Sequence, residues 1–212
     1  MRNVLTPAGY HGHGKRTRYF EGWYVKLVDA RQEARLALIP GVFLAQEADG
    51  PHEAFVQVLD GATGRSWYMP YPQSEFTARS ETFAVQVGPN RFSNGGVGLD
   101  LPELTGQVDF GPLDPWPVTP VSPGAMGWYA WMPFMECYHG VVSFGHTLHG
   151  QLEFEGRTLD FDGGRGYIEK DWGQAFPSGY VWMHSNSFTD PQISLIASVA
   201  IIPWLRGEFQ GL

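Results

Sequence analysis

The 212-residue sequence contains one cysteine, Cys137, so no disulfide can close within the chain and nothing points to an oxidising compartment. Positive charge is also scarce. Lys and Arg number 14 against 22 Asp and Glu, a formal charge of −8, and the densest basic patch is only Lys15, Arg16 and Arg18, which argues against nucleic acid as a partner. No stretch approaches the roughly 18 apolar residues of a spanning helix. Met1 to Lys15 lacks the apolar block of a signal peptide, and a cytoplasmic protein is expected. A Gly-x-Ser-x-Gly elbow is missing, and Gly163-Gly164-Arg165-Gly166 runs into a strand-like segment, not a helix N-terminus, so it is no phosphate loop. Charged residues make up only 17%, below the roughly 25% of an ordinary domain.

Turn formers and apolar side chains are abundant instead. Gly and Pro contribute 27 and 16 residues, which disfavours long helices, while 43% hydrophobic and 15% aromatic residues supply enough burial to exclude disorder. Strand patterns recur. Glu53 to Leu59 and Ser66 to Met69 flank a turn at Asp60 to Gly64. Thr82 to Val87, Val97 to Leu101, Leu104 to Phe110, His146 to Phe154 and Thr158 to Phe161 follow, predicting an antiparallel sandwich or barrel. Asp114 to Met135 carries five prolines and the aromatics Trp116, Trp128, Tyr129, Trp131 and Phe134, a composition for a long connection over apolar surface. Ile193 to Ile202 reads as a buried strand and Glu208 to Leu212 as the opening of another, so the chain is expected to be part of a longer one.

The densest chemistry lies at Gly163 to Gly173. If Tyr167 to Trp172 is extended, alternation puts Tyr167, Glu169 and Asp171 on one face and Ile168, Lys170 and Trp172 on the other. Inside an aromatic barrel, desolvation and mutual repulsion would keep one carboxyl protonated near neutrality, as a general acid requires. The competing reading pairs Glu169 and Asp171 with Arg165 and Lys170 on a solvated rim. Glu136 and His139 offer a second acid/base pair, or a core histidine with a capping glutamate. Cys137 has no cationic neighbour in sequence and reads as a small buried hydrophobe. His11 and His13, with His146 and His149, make a weak metal pattern, because Thr17 and Arg18 stand where a cupin-like strand would need Glu; neither a metal nor another cofactor is expected. Trp23, Trp128, Trp131, Trp172 and Trp182 are candidate ligand contacts, although tryptophans equally serve as core.

Several of these runs resemble the bacterial members of the tocopherol cyclase family: Tyr19-Phe20-Glu21-Gly22-Trp23-Tyr24-Val25-Lys26, Pro115 to Val118, Met126 to Tyr129, Pro133 to Gly140, and Gly163 to Gly173 with Phe176-Pro177. More distantly, Tyr167-Ile168-Glu169-Lys170-Asp171-Trp172-Gly173 is similar to the Tyr-x-Asp-x-Asn-Trp-Gly motif of carotenoid 1,2-hydratases. The resemblance implies two lipocalin-like antiparallel β-barrels, the first spanning residues 1–175 and the second begun at 176–212 and incomplete. It also implies chemistry that starts by protonating an isoprenoid double bond, here the cyclisation of a prenylated quinol to a chromanol by an intramolecular lyase. Glu169 then takes the place of the hydratase acid, Tyr167 of its tyrosine, Asp171 of its asparagine, and His139 of an assisting histidine. Asp171 departs from that pattern and leaves open which carboxyl holds the proton. The expected partner is a hydrophobic small molecule, with peripheral membrane contact allowed for during its uptake and the oligomeric state left open. An isoprenoid hydratase and a non-catalytic lipocalin-like carrier are the alternatives.

Overall fold

The computed structural model describes residues 2–133, 135–204 and 207–211; Phe134 of the Pro-rich connection and Leu212 of the terminal pattern lie outside them. The strands, in chain order, are β1 Tyr19–Val28, β2 Arg35–Leu44, β3 His52–Asp60, β4 Ser66–Pro72, β5 Phe76–Ala78, β6 Ala84–Val87, β7 Asn90–Ser93, β8 Gly96–Leu101 and β9 Leu104–Phe110. They continue with β10 Cys137–Phe154, β11 Arg157–Asp160, β12 Arg165–Gly173, β13 Tyr180–Ser185, β14 Leu195–Trp204 and β15 Gly207–Gly211. Every ladder is antiparallel, and the all-β architecture expected from the sequence holds.

A large sheet runs in the order β4-β3-β2-β1-β12-β10-β9-β8-β7-β6-β5, with β11 against β10; β13-β14-β15 form a separate sheet. The large sheet rolls until β6 lies against β2 and β3. Strict alternation along β1 makes this possible. Tyr19, Glu21, Trp23, Val25 and Leu27 are buried on one face, while Phe20, Tyr24 and Lys26 are half-buried on the other. The inner faces meet in one core that includes Trp23, Leu38, Val56, Phe83, Phe92, Leu148, Phe161 and Ile168, none more than 1% exposed. At about 1.5–3 kcal/mol for each large side chain removed from water, this core is the main stabilising term. It also fills the interior with side chains, as in other small rolled sheets.

Two strands hide from sequence patterning for identifiable reasons. Strand β2 (RLALIPGVFL) carries Pro40, and its ladder to β1 lapses at Trp23/Pro40 and Tyr24/Ile39, where the missing N–H would have donated, while the ladder to β3 continues. Strand β10 extends over 18 residues, pairing with β12 through its first half and with β9 and β11 through its second. Register shifts between Val141 and Ser143 and between Ser143 and His146 mark the irregularities that let it bend between the two halves. Among the described residues of the Pro-rich segment between β9 and β10, a lone β-bridge joins Thr119 to Ser122 and a 3-10 turn runs over Gly127–Trp131.

Candidate active site

Strand β12 sits at the centre of the large sheet, with β1 on one side and β10 on the other, and Glu169 has Tyr24 and Val141 as its direct cross-strand neighbours. The alternation expected over Tyr167 to Trp172 is present, but its direction differs from an acid aimed into a barrel core. Ile168 belongs to the main core and Trp172 to a smaller buried cluster beside it. Tyr167, Glu169 and Asp171 therefore point to the opposite face, where Tyr24 and Lys26 of β1 and His139 of β10 join them. That face is covered because β13 of the small sheet lays Trp182 and His184 against it. Glu169 ends up 4% exposed. Desolvation thus comes from a second sheet rather than from a barrel interior.

One carboxylate oxygen collects the donors. Oε2 of Glu169 accepts from Tyr167 O–H at 2.6 Å and from Trp182 Nε1–H at 3.1 Å, and His139 Nε2 stands 3.5 Å away. On its other side His139 Nδ1 bonds Asp171 Oδ1 at 2.9 Å. Burial raises the Glu169 carboxyl, and the Asp171 charge adds to the rise. The His139 charge and the two hydrogen bonds oppose it, leaving the group at about 7. Burial alone would lower His139, yet the hydrogen bond and charge of Asp171, helped by Glu169, hold it at about 9. At neutral pH the site is an imidazolium clamped by Asp171 beside a carboxyl poised between its two forms. The solvated-rim alternative is not what the fold builds, because Lys170 pairs with Glu21 on the far face.

Other residues singled out from sequence fall elsewhere. The peptide oxygen of Glu136 accepts from Gln174 and Ala175 N–H, at 2.8 and 3.4 Å, and no hydrogen bond links its carboxylate to His139 among the described residues. Cys137 is half-buried with its thiol 3.8 Å from Asp171 Oδ1, and burial pushes that thiol up, away from nucleophilic use. Trp23 and Trp172 lie on the core side, and the cation they hold is the ammonium of Lys170, at 5.2 and 4.6 Å from their ring centres. Trp128 is 54% exposed and stacks on Tyr129, Trp131 closes the same 3-10 turn, and Trp182 alone of the five tryptophans bonds the acid. His11 bonds Thr6 O and Lys170 while His13 reaches Ser80, so this pair does not converge.

Tyr24, Lys26 and His184 were not found from sequence. Alternation in Tyr24-Val25-Lys26 would have put two of them on one face, but the pairing of β1 with β12, across some 140 positions, leaves no local trace. Lys26 Nζ lies 3.0 Å from His184 Nδ1, and His184 stacks on Tyr167 with ring centres 3.5 Å apart. Burial and the Lys26 charge lower His184 to about 3, and burial with the Arg165 charge lowers Lys26 to about 8. The Glu169 charge contributes to raising Tyr24 to about 12, after burial.

His139, Glu169 and Asp171 each offer a ligand atom within 4.8 Å of the others, so a metal can be considered. Asp171 already spends its oxygen orienting Nδ1, the place of an outer-shell carboxylate, which leaves one imidazole and one carboxylate facing each other. Catalytic zinc sites use three protein ligands, and this donor set falls short.

Comparison with known proteins bears on these strands. Residues 103–206 match the family described as Tocopherol cyclase-like. The matched stretch runs from β9 through β14 and so includes the strands that carry His139, Glu169 and Trp182. A protein of Oryza sativa subsp. japonica named "Probable tocopherol cyclase, chloroplastic" is 32% identical over 72 residues, 34% of this chain and 15% of that protein. The "Tocopherol cyclase, chloroplastic" of Zea mays is 31% identical over 74 residues, 34% of this chain and 16% of its own length. The aligned stretches thus cover about a sixth of the length of these curated relatives. Its fold is similar to that of a crystal structure from Nitrosomonas europaea designated AttH, with a TM-score of 0.56 and 16% identity over 92% of this chain and 63% of that one.

An expected result follows from the His139 geometry. His139→Gln removes the positive charge that pulls Glu169 down, so the carboxyl should titrate at higher pH and the alkaline limb of any acid-dependent activity should move up with it. A pH profile in which that limb stays in place would show that the two groups are not coupled.

Proposed function

We propose that the protein is an acid-initiated isomerase of the tocopherol cyclase type, closing a prenylated quinol into a chromanol, with Glu169 as the acid. The observation that carries this reading is a buried carboxyl held near neutrality at the centre of the sheet, with an imidazolium beside it. Glu169 gives its proton to the less substituted carbon of a trisubstituted alkene, forming a tertiary cation and a carboxylate. His139, charged and 3.5 Å away, together with the Tyr167 and Trp182 donors, stabilises that carboxylate as it forms. The phenol oxygen attacks the cation, and its proton returns to Glu169 directly or through His139. Product and substrate are isomers, so the atoms balance without a redox partner.

The space beside His139 is about 10 Å³, lined by Pro7, Trp116, Met126, Ala130, Tyr138 and Trp172 among others, room for about one water. Glu169 does not line that space and is 4% exposed, so a prenyl chain reaches it when the segments over it shift, a motion of the kind that gates many enzymes. The filled core of the large sheet weighs against a lipocalin-like carrier holding its ligand inside the roll.

The deciding experiment incubates the protein with a prenylated benzoquinol in D₂O. A chromanol bearing one non-exchangeable deuterium is expected. A product heavier by one water would mean that water captures the cation and the protein is a hydratase. Unchanged quinol under conditions where the protein is folded would sink acid chemistry at this site.

A further inference from the structure

We infer that Trp182 is a positioning residue for the acid: it fixes Oε2 of Glu169 as an acceptor, assigns the transferable proton to Oε1, and does so from the small sheet. The inference rests on the reading of Glu169 as an acid and states which of its atoms delivers the proton.

An indole N–H can only donate, since its nitrogen offers no lone pair. Trp182 Nε1 lies 3.1 Å from Oε2, and that oxygen also receives Tyr167 O–H at 2.6 Å. A neutral carboxyl has one carbonyl-type oxygen and one hydroxyl. Placing the hydroxyl on Oε2 would crowd its hydrogen among two donors and the His139 ring nitrogen 3.5 Å away. Among the described residues no hydrogen bond reaches Oε1, so the hydroxyl belongs there, free to point at a substrate. Tyr167 cannot enforce this choice by itself, because a phenol hydroxyl can turn and accept. Trp182 always donates, and a carbonyl oxygen accepts better than a hydroxyl oxygen, so its N–H biases the carboxyl toward carbonyl at Oε2 and proton at Oε1.

The small sheet holds Trp182 in place. Tyr24 packs edge-on against its ring at 5.3 Å, and two residues further His184 stacks on Tyr167 and meets Lys26. Another two residues on, Asn186 Nδ2 donates to Gly166 O at 3.0 Å and to Phe144 O at 3.3 Å. Trp182, His184 and Asn186 alternate toward the large sheet, whereas Val181 and Met183 between them are 70% and 51% exposed. The acid is thus assembled across two sheets.

The test needs no substrate. The carboxyl band of protonated Glu169 is followed by infrared difference spectroscopy through a pH titration and assigned by its absence in Glu169→Gln. In Trp182→Phe the midpoint should rise by roughly one pH unit, since a hydrogen bond to the ionised form is lost. The band should also split, because Tyr167 can now donate with the proton on Oε1 or accept with the proton on Oε2. In Tyr167→Phe the band should move yet stay single. An unmoved midpoint with one unshifted band in folded Trp182→Phe would overturn the inference. If that variant does not fold, β-(3-benzothienyl)alanine at position 182 keeps the ring shape and replaces N–H by sulfur, with the same two outcomes. A protein that titrates as expected but makes no chromanol would refute the proposed reaction and leave this assignment standing.

Discussion

Glu169→Gln is expected to lower turnover of a prenylated quinol by at least 10³-fold, toward the upper end of what a positioned general acid supplies, on the order of 10²–10⁴. The amide keeps the shape of the side chain and both hydrogen bonds to Oε2 but has no proton to give. Asp171 cannot take over, because its Oδ1 is engaged with His139 Nδ1 at 2.9 Å, while the Tyr167 and Trp182 donors both go to Glu169. Asp171→Asn should cost less, about 10²-fold, by leaving His139 without the partner that keeps it charged. The stability consequence has a definite sign. Glu169 titrates at about 7 when folded against 4.5 as its ordinary value, so the protonated carboxyl contributes stability that is complete below about pH 4.5 and is lost as pH rises through about 7. Glu169→Gln removes that loss, and its urea midpoint should gain on the parent between pH 5 and 7. A variant that is inactive but shows no such gain would place the defect in folding or binding instead of in the acid. Full activity in Glu169→Gln would refute the proposed mechanism outright.

Most of what the sequence made legible was local. Strands β3, β4, β8, β9 and β12 announce themselves through alternation and turn residues, and one-face grouping of Tyr167, Glu169 and Asp171 needs nothing beyond the two-residue period. Which face that is cannot be read locally. It depends on β1 and β10 flanking β12, pairings made across long stretches of chain, and on β13 crossing over to cover the acid. Trp182 illustrates the limit: an aromatic in sequence suggests a ligand wall or core filler, while its decisive property here is one N–H, visible only once Glu169 lies 3.1 Å from it. Glu136 shows the converse. Its spacing to His139 suggested a pair, but strands place side chains three apart on opposite faces, and the two sit on either side of the start of β10.

Lys170 carries the second large effect, on the face away from the acid. Its ammonium and the Glu21 carboxylate are both 0% exposed and 2.7 Å apart, with Gly9 O also accepting from Lys170 and His11 N–H and Tyr19 O–H donating to Glu21. Breaking one partner of such a pair strands the other charge in a low-dielectric core, so Lys170→Met should destabilise by about 3–5 kcal/mol. Replacing both, Glu21→Gln with Lys170→Met, should recover most of that loss, because the glutamine oxygen still accepts from His11 and Tyr19 and the thioether fills the space between Trp23 and Trp172. Urea unfolding of the four proteins gives the coupling directly. Burial lowers Lys170 to about 8 from 10.5, so in the parent stability should rise between about pH 8 and 10.5, where the unfolded chain still binds the proton, and Lys170→Met should lose that rise. The pair also pins the chain before β1, where Trp23 Nε1–H donates to Ala8 O at 3.1 Å, so the single variant should expose Lys15, Arg16 and Arg18 to faster tryptic cleavage. Since Lys170 stands between Glu169 and Asp171 on the same strand, the ion pair on one face fixes how the acids are presented on the other. Loss of stability without change in the Glu169 titration would separate the two faces; a shift in both would show that the buried pair holds the acid in register.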